Sequence, residues 1–278
     1  MKVGLMHDEQ AGFIPIFFIK LHTFATHFIF MALLHSFEKS GNFLFRYRSY
    51  FPVLLFLLAI PVIYATPYEW MPSWLKVLVT IIAVALSLAG FLIRAIAIAT
   101  TPKGTSGRNT KSGQVAESLN TEGIYSVIRH PLYLGNYLMW IGITVFTFNI
   151  YFILIVSLVF WLYYERIMFA EERFLEKKFG DEYLNWSLKV PSFIPAFTRY
   201  IRSTMPFSWK SILRREYSGL LATVIGFTFI DHLRFYFIHG HLEWNRISTW
   251  VLLCAVVVTL LLRTLKHHTR LLHESDRS

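Results

Sequence analysis

The sequence predicts an all-helical bundle built into a membrane, and three observations carry that reading. Of 278 residues, 55% are hydrophobic and 17% aromatic, more apolar surface than a soluble domain of this length buries. The apolar residues also gather into six runs close to the roughly 20 residues that cross a bilayer. Lys and Arg are unevenly distributed among the connections between those runs.

The runs cover 50–66, 74–100, 132–148, 151–170, 217–238 and 247–262. A seventh, 13–35, is interrupted by Lys20, His22 and His27, and it either spans or lies along the interface. Cations crowd every second connection. Lys39, Arg46 and Arg48 precede the first run; Lys103, Arg108, Lys111 and Arg129 separate the second from the third; a basic segment, 171–215, follows the fourth; Arg263, Lys266 and Arg270 follow the sixth. The intervening turns carry Arg246 as their one Lys or Arg. Six spans with the 101–131 and 171–215 segments in the cytoplasm satisfy the positive-inside bias of every loop.

A net charge of +10 is therefore explained by topology and by anionic headgroups, without a nucleic-acid partner. The single cysteine, Cys254, lies in an apolar run, so no disulfide framework follows. Paired histidines at span ends (His239 and His241, His267 and His268) read as interface residues, and His22, His27 and His35 share no helical face, so no metal is expected. The organisation has four parts. Residues 1–49 form a membrane-associated or spanning helix with a basic loop, 50–100 a two-span scaffold, 101–200 a core that carries the chemistry, and 201–278 a two-span hairpin with a basic tail.

Within the core, Asn149 between Phe148 and Ile150 leaves room only for a tight turn, so 132–148 and 151–170 run antiparallel as a helical hairpin. Their polar ends meet at one membrane face. Arg129, His130 and Tyr133 enter the hairpin there, while Glu165, Arg166, Glu171 and Glu172 leave it. Ionisable groups at that depth are costly and point to a site, with snorkelling of Arg129 and solvated glutamates as the alternative. Arg94, deep in its run, either pairs with Glu117, Glu122 or a lipid phosphate or snorkels to the interface. Asp231, His232 and Arg234 form either a structural ion pair or a proton path.

The stretches "RHPLYLG" at 129–135 and "AEERFLEKKFGDEYLNWSLKVPSFIP" at 170–195 resemble the isoprenylcysteine carboxyl methyltransferase group of membrane enzymes. The shared order is Arg-His-Pro-x-Tyr-x-Gly, a membrane hairpin, a Glu-Glu pair, Phe-Gly-x-x-Tyr and Val-Pro. The stretches "EKSGNFLFRYRSYFP" and "GTSGRNTK" are similar to bacterial members that methylate a phosphate of lipid A. The resemblance implies S-adenosylmethionine as methyl donor, with Arg129, His130, Tyr133, Gly135, Glu171 and Glu172 around it and Gly135 admitting the cofactor close to the backbone. Arg129 or Arg166 would orient an acceptor that is already anionic, and Glu172 would act beside them. A lipid phosphate is the first choice of acceptor and the carboxylate of a prenylated cysteine the second. The alternatives are N-methylation of a phospholipid, hydride transfer by a sterol-reductase-like enzyme using NADPH, and non-catalytic lipid binding.

Overall fold

The computed structural model describes residues 32–48, 51–105, 108–110, 113–274 and 277. Most of the 13–35 run, with His22 and His27, lies outside the described residues. Each of the six apolar runs forms a helix. A first helix, α1, is described over 32–47. It is followed by α2 (Phe51–Ala65), α3 (Ser73–Ala99), α4 (Pro131–Val145), α5 (Ile150–Phe179), α6 (Asp181–Ser187), α7 (Trp209–Arg215), α8 (Tyr217–His239) and α9 (Ile247–His268). Of these, α3, α5, α8 and α9 are long and apolar enough to cross a membrane.

The other two expected spans, α2 and α4, have 15 residues each. At about 1.5 Å per residue each is roughly 22 Å long, short of the about 30 Å hydrocarbon core. The two differ in burial: of its described side chains α2 buries only Leu55, Ala59 and Ile63, whereas α4 is packed among longer neighbours. Along α4 the interior residues Tyr133, Gly135, Met139, Ile141, Gly142, Ile143 and Thr144 are all buried. One departure from an all-helical chain stands in the 101–131 loop, where β1 (Arg108–Thr110) and β2 (Gly113–Val115) pair antiparallel with Thr110 opposite Gly113. This loop thus contains a small hairpin.

Small residues bring α3 and α4 together. A Cβ on Gly90 would stand 2.5 Å from the Gly135 carbonyl oxygen, and one on Gly142 would stand 2.2 Å from Ser87 Oγ. Close approach of backbones is how helices gain packing energy where water supplies no hydrophobic drive. Ser87 Oγ also donates to the Met139 carbonyl at 2.9 Å.

The α4–α5 turn is as tight as the sequence implies. Phe148 takes φ +61°, and Asn149 caps α5 by accepting from the Phe152 amide at 3.0 Å. Asn149 also donates to Thr66 Oγ1 at 3.1 Å, and Phe148 packs edge-on against Tyr68. Arg234 lies over Tyr68, Phe146 and Phe148 and bonds the Phe146 carbonyl, so the turns after α2 and α4 and the outer end of α8 share one face. Those are charge-poor turns. The basic loops therefore sit together at the opposite face.

There the chain after α5 folds back on the segment before α4. Gly180, at φ +53°, ends α5 and lets α6 reverse direction. The Arg129 amide donates to the Pro191 carbonyl at 2.9 Å, His130 to Ser192 at 3.2 Å, and Ala196 to Val127 at 2.9 Å. Val127 and Ile128 are buried beneath these bonds. The Val-Pro motif thus fixes the backbone of the Arg-His-Pro motif.

Candidate active site

At the mouth of the hairpin lies a cavity of about 260 Å³. Its walls come from the end of α3 (Arg94, Ile98), the 105–130 loop (Asn120, Tyr125, Arg129, His130), the start of α4 (Tyr133, Asn136), the end of α5 (Glu171, Leu175), α6 (Tyr183, Trp186) and the α7–α8 junction (Arg215, Glu216). Long-range folding assembles it. No single segment contributes more than a few side chains.

One wall is a ladder of carboxylates and their partners. His130 Nε2 lies 2.8 Å from Glu172 Oε1, and His130 Nδ1 lies 3.7 Å from Glu171 Oε2. Tyr133 donates its hydroxyl to Glu171 Oε2 at 2.7 Å, while Arg129 Nη2 stands 3.4 Å from Glu172 Oε1. The His130 and Tyr133 rings stack at 5.4 Å, and Tyr133 packs on Tyr164 at 5.1 Å. The Arg-His-Pro motif and the Glu-Glu pair are therefore in direct contact, as the hairpin argument required.

The opposite wall was not expected in this form. Arg94 Nε and Nη2 donate to Glu216 Oε2 and Oε1 at 2.7 and 2.6 Å, a two-pronged pair, and Nη1 donates to Asn136 Oδ1 at 2.6 Å. The Glu216 side chain is 1% exposed and that of Arg94 19%. Neither Glu117 nor Glu122 reaches it: Glu117 lies against Gly104, and Glu122 accepts from the Thr204 amide and hydroxyl. The one sequence signal for Glu216 is an acid placed between a basic stretch and the apolar run that follows.

Two expected site residues point elsewhere. Arg166 donates to Ser40 Oγ at 3.3 Å and lies 4.2 Å over the Phe37 ring, so it faces α1 rather than the cavity. Gly135 faces α3, where a Cβ would stand 2.4 Å from Arg94 Cγ and 2.8 Å from the Gly90 carbonyl. Glu165 is exposed. Asp231 pairs with Arg246 through two bonds of 2.7 and 2.6 Å, away from the cavity.

The remaining lining supplies aromatic faces and unspent donors. Burial pushes the Tyr125 hydroxyl up to about 12, and Tyr183 is raised by burial and then by the Glu172 charge, so both stay protonated donors. Arg129 Nε and Asn120 Nδ2 are buried without a hydrogen-bond partner among the described residues. A buried donor left unpaired is costly, and both atoms belong to residues that line the cavity. Together the walls offer carboxylates for a cation, donors for an anion and aromatic faces for a flat ring. Among the described residues no group of three His, Cys, Asp or Glu side chains is placed to hold a metal.

Residues 78–182 match the family model for phospholipid methyltransferases. The protein-S-isoprenylcysteine O-methyltransferase of Schizosaccharomyces pombe is 39% identical over 77 residues, 28% of this chain and 33% of that protein. The cobalt-zinc-cadmium resistance protein CzcN of Cupriavidus metallidurans is 34% identical over 89 residues, 32% of this chain and 41% of that protein. A probable protein-S-isoprenylcysteine O-methyltransferase of rice (Oryza sativa subsp. indica) is 30% identical over 118 residues, 42% of this chain and 61% of that protein. The chain thus spans between a third and three-fifths of these relatives. No solved structure matches. The resemblance to isoprenylcysteine-type membrane methyltransferases read from the motifs holds across this middle segment, the part of the chain that builds most of the cavity.

Proposed function

We propose that the chain is an integral membrane enzyme that transfers a methyl group from S-adenosylmethionine to an anionic oxygen on a lipid-linked acceptor. The observation that carries the reading is the contact of Arg129 and His130 with Glu172, and of Tyr133 with Glu171, beside a cavity whose lining residues Arg129 and Asn120 keep an unpaired buried donor each.

S-adenosylmethionine supplies an electrophilic methyl carbon on a sulfonium centre. The residues present suit each of its parts. Arg129 and Asn120 offer donors for its carboxylate, Glu171 in the lining and Glu172 behind Arg129 and His130 favour the positive end, and Tyr125, Tyr183 and Trp186 offer apolar walls to the base. His130, held between the two glutamates, fixes their orientation.

The acceptor needs no proton removed when it is a carboxylate or phosphate, because its oxygen is already charged. Catalysis then rests on alignment and on exclusion of water. Arg94 is the cation placed for that task, its guanidinium locked by Glu216 and Asn136 at the membrane side of the cavity. Arg166, turned toward α1, takes no part in this scheme. The names of the relatives favour the carboxylate of a prenylated cysteine over a lipid phosphate as acceptor, which reverses the order read from the sequence. The basic loops around the cavity support a cytoplasmic orientation for this chemistry.

Titration calorimetry of the detergent-purified protein with S-adenosylhomocysteine tests the proposal. Micromolar binding is expected in the native protein, and at least a tenfold loss in Arg129→Ala and in Glu172→Ala with folding intact. Absence of binding in the native protein, with NADPH bound instead, would transfer the cavity to a reductase.

A further inference from the structure

The C-terminal hairpin of α8 and α9 lies outside residues 78–182 and has no task in the scheme so far. Beside it runs a groove of about 840 Å³ with α4 as its floor and α3, α8 and the start of α9 as its walls. Leu88, Phe91, Met139, Val224, Phe227 and Val251 give it an apolar lining. Because its walls are membrane-crossing helices, the groove lies at bilayer depth, where hydrocarbon and not water fills such a space.

Its position identifies whose hydrocarbon. On three helices a single turn separates cavity from groove: Arg94 lines the first and Phe91 the second on α3, Asn136 and Met139 do the same on α4, and Glu216 and Leu220 at the head of α8. The two spaces are stacked end to end, and the bonded layer Arg94, Asn136 and Glu216 stands where they meet. At the far end Asp231, bonded to Arg246 and Ser248, stops the groove with a polar plug. From Phe91 to Thr80, 91 − 80 = 11 residues of α3, the groove is about 16 Å long at 1.5 Å per residue, and Arg94 stands one turn beyond it, about 21 Å from Thr80. A bulk lipid keeps its head at the bilayer surface. An amphiphile whose tail lies here presents its head to Arg94.

We propose that this groove binds the hydrocarbon tail of the methyl acceptor, an anionic amphiphile whose head contacts Arg94 and whose chain is limited to about 21 Å by the plug. The C-terminal hairpin is then the tail-binding wall of the enzyme. The inference rests on the methyltransferase reading of the cavity.

The test uses the full-length protein in nanodiscs with two probes, S-farnesyl-N-acetylcysteine and hexadecyl phosphate, each bearing a diazirine near the tail end, and maps the photolabel by mass spectrometry. Label within 80–91 and 220–228 is expected for at least one probe, with the head that labels better naming the acceptor class. Val224→Trp, which fills the groove without touching the cavity, should reduce that labelling at least tenfold while S-adenosylhomocysteine binding stays unchanged. Label confined to the outward faces of α2 and α5, no label at all, or groove labelling that Val224→Trp leaves intact would each overturn the proposal. Should Val224→Trp fail to fold, the label map of the native protein decides. Groove labelling in a native protein that binds no S-adenosylhomocysteine would keep the tail site and sink the methyltransferase reading instead.

Discussion

Two arginine–carboxylate pairs in this molecule have nearly the same geometry and opposite meanings. Arg94 grips Glu216 with bonds of 2.7 and 2.6 Å, and Arg246 grips Asp231 with bonds of 2.7 and 2.6 Å. Both join the C-terminal hairpin to something: the first ties the head of α8 to α3, the second ties the start of α9 to α8. What separates them is the rest of each environment. Asp231 has its remaining capacity taken by Ser248, and the pair is partly exposed at 27% and 18%. Arg94 continues to Asn136 and faces a cavity, while its partner is almost wholly buried. Ion-pair geometry alone does not mark a site, nor does space beside it, since Asp231 and Arg246 border the apolar groove; what marks the first pair is a space lined by further carboxylates, donors and aromatic rings.

The sharpest way to break the comparison is to remove one partner of each pair. Arg94→Ala leaves a buried carboxylate uncompensated, which costs about 3–5 kcal/mol, and removes a fixed donor from the reacting centre, which lowers transfer on the order of 10²–10³-fold. Asp231→Asn should cost about 1 kcal/mol and leave S-adenosylhomocysteine binding unchanged, since the pair is partly solvated. Thermal unfolding in detergent and a methyl-transfer assay read both. The apolar double replacement Arg94→Met with Glu216→Leu separates stability from function: it should recover most of the lost stability and none of the transfer. Recovery of transfer in that double variant would reduce Arg94 to a structural brace.

A smaller effect comes from two glycines on α4 with the same clash and different neighbours. Gly135→Ala drives its Cβ to 2.4 Å from Arg94 Cγ, and Gly142→Ala to 2.2 Å from Ser87 Oγ. Each is overpacking, worth about 1–3 kcal/mol of destabilisation. Only the first displaces the guanidinium, and a misplacement near 1 Å can cost about 10²-fold in rate. Gly135→Ala should therefore lose transfer far beyond its stability loss, and Gly142→Ala should not. Equal losses of transfer would mean that helix spacing, not the aim of Arg94, limits the reaction.

What the sequence made legible follows the same division. The helices, four of them long enough to span, the tight turn at Asn149 and the meeting of Arg129, His130 and Tyr133 with Glu171 and Glu172 were readable, because apolar runs and a short turn are local signals. Arg166 was misplaced for want of helical phase: at about 100° per residue it stands roughly 140° around α5 from Glu171, so it cannot share that face. Gly135 was assigned to the cofactor because close approach was expected, yet the close approach is to α3. Glu216 could not be read as the partner of Arg94, since 122 residues separate them and nothing local links α8 to α3. Pairings set by the packing of distant helices are the part that composition and spacing do not encode.

The smallest expected effect concerns pH, and it distinguishes the cavity from the surface. Tyr125 and Tyr183 line the cavity, and burial raises both hydroxyls, that of Tyr125 from 10.0 to about 12. A folded-state value above the unfolded one gives stability that is fully present below the unfolded value and is lost as pH rises through the folded value. For Tyr125 that window runs from 10.0 to about 12. Stability contributed by this residue should thus be flat through neutral pH and decline only in that range, and Tyr125→Phe should blunt the decline. Ultraviolet difference titration of the tyrosines, read against thermal unfolding, checks this. Ionisation of Tyr125 near 10 would show that water reaches the cavity wall, which would weaken the exclusion of solvent on which uncatalysed-proton methyl transfer depends.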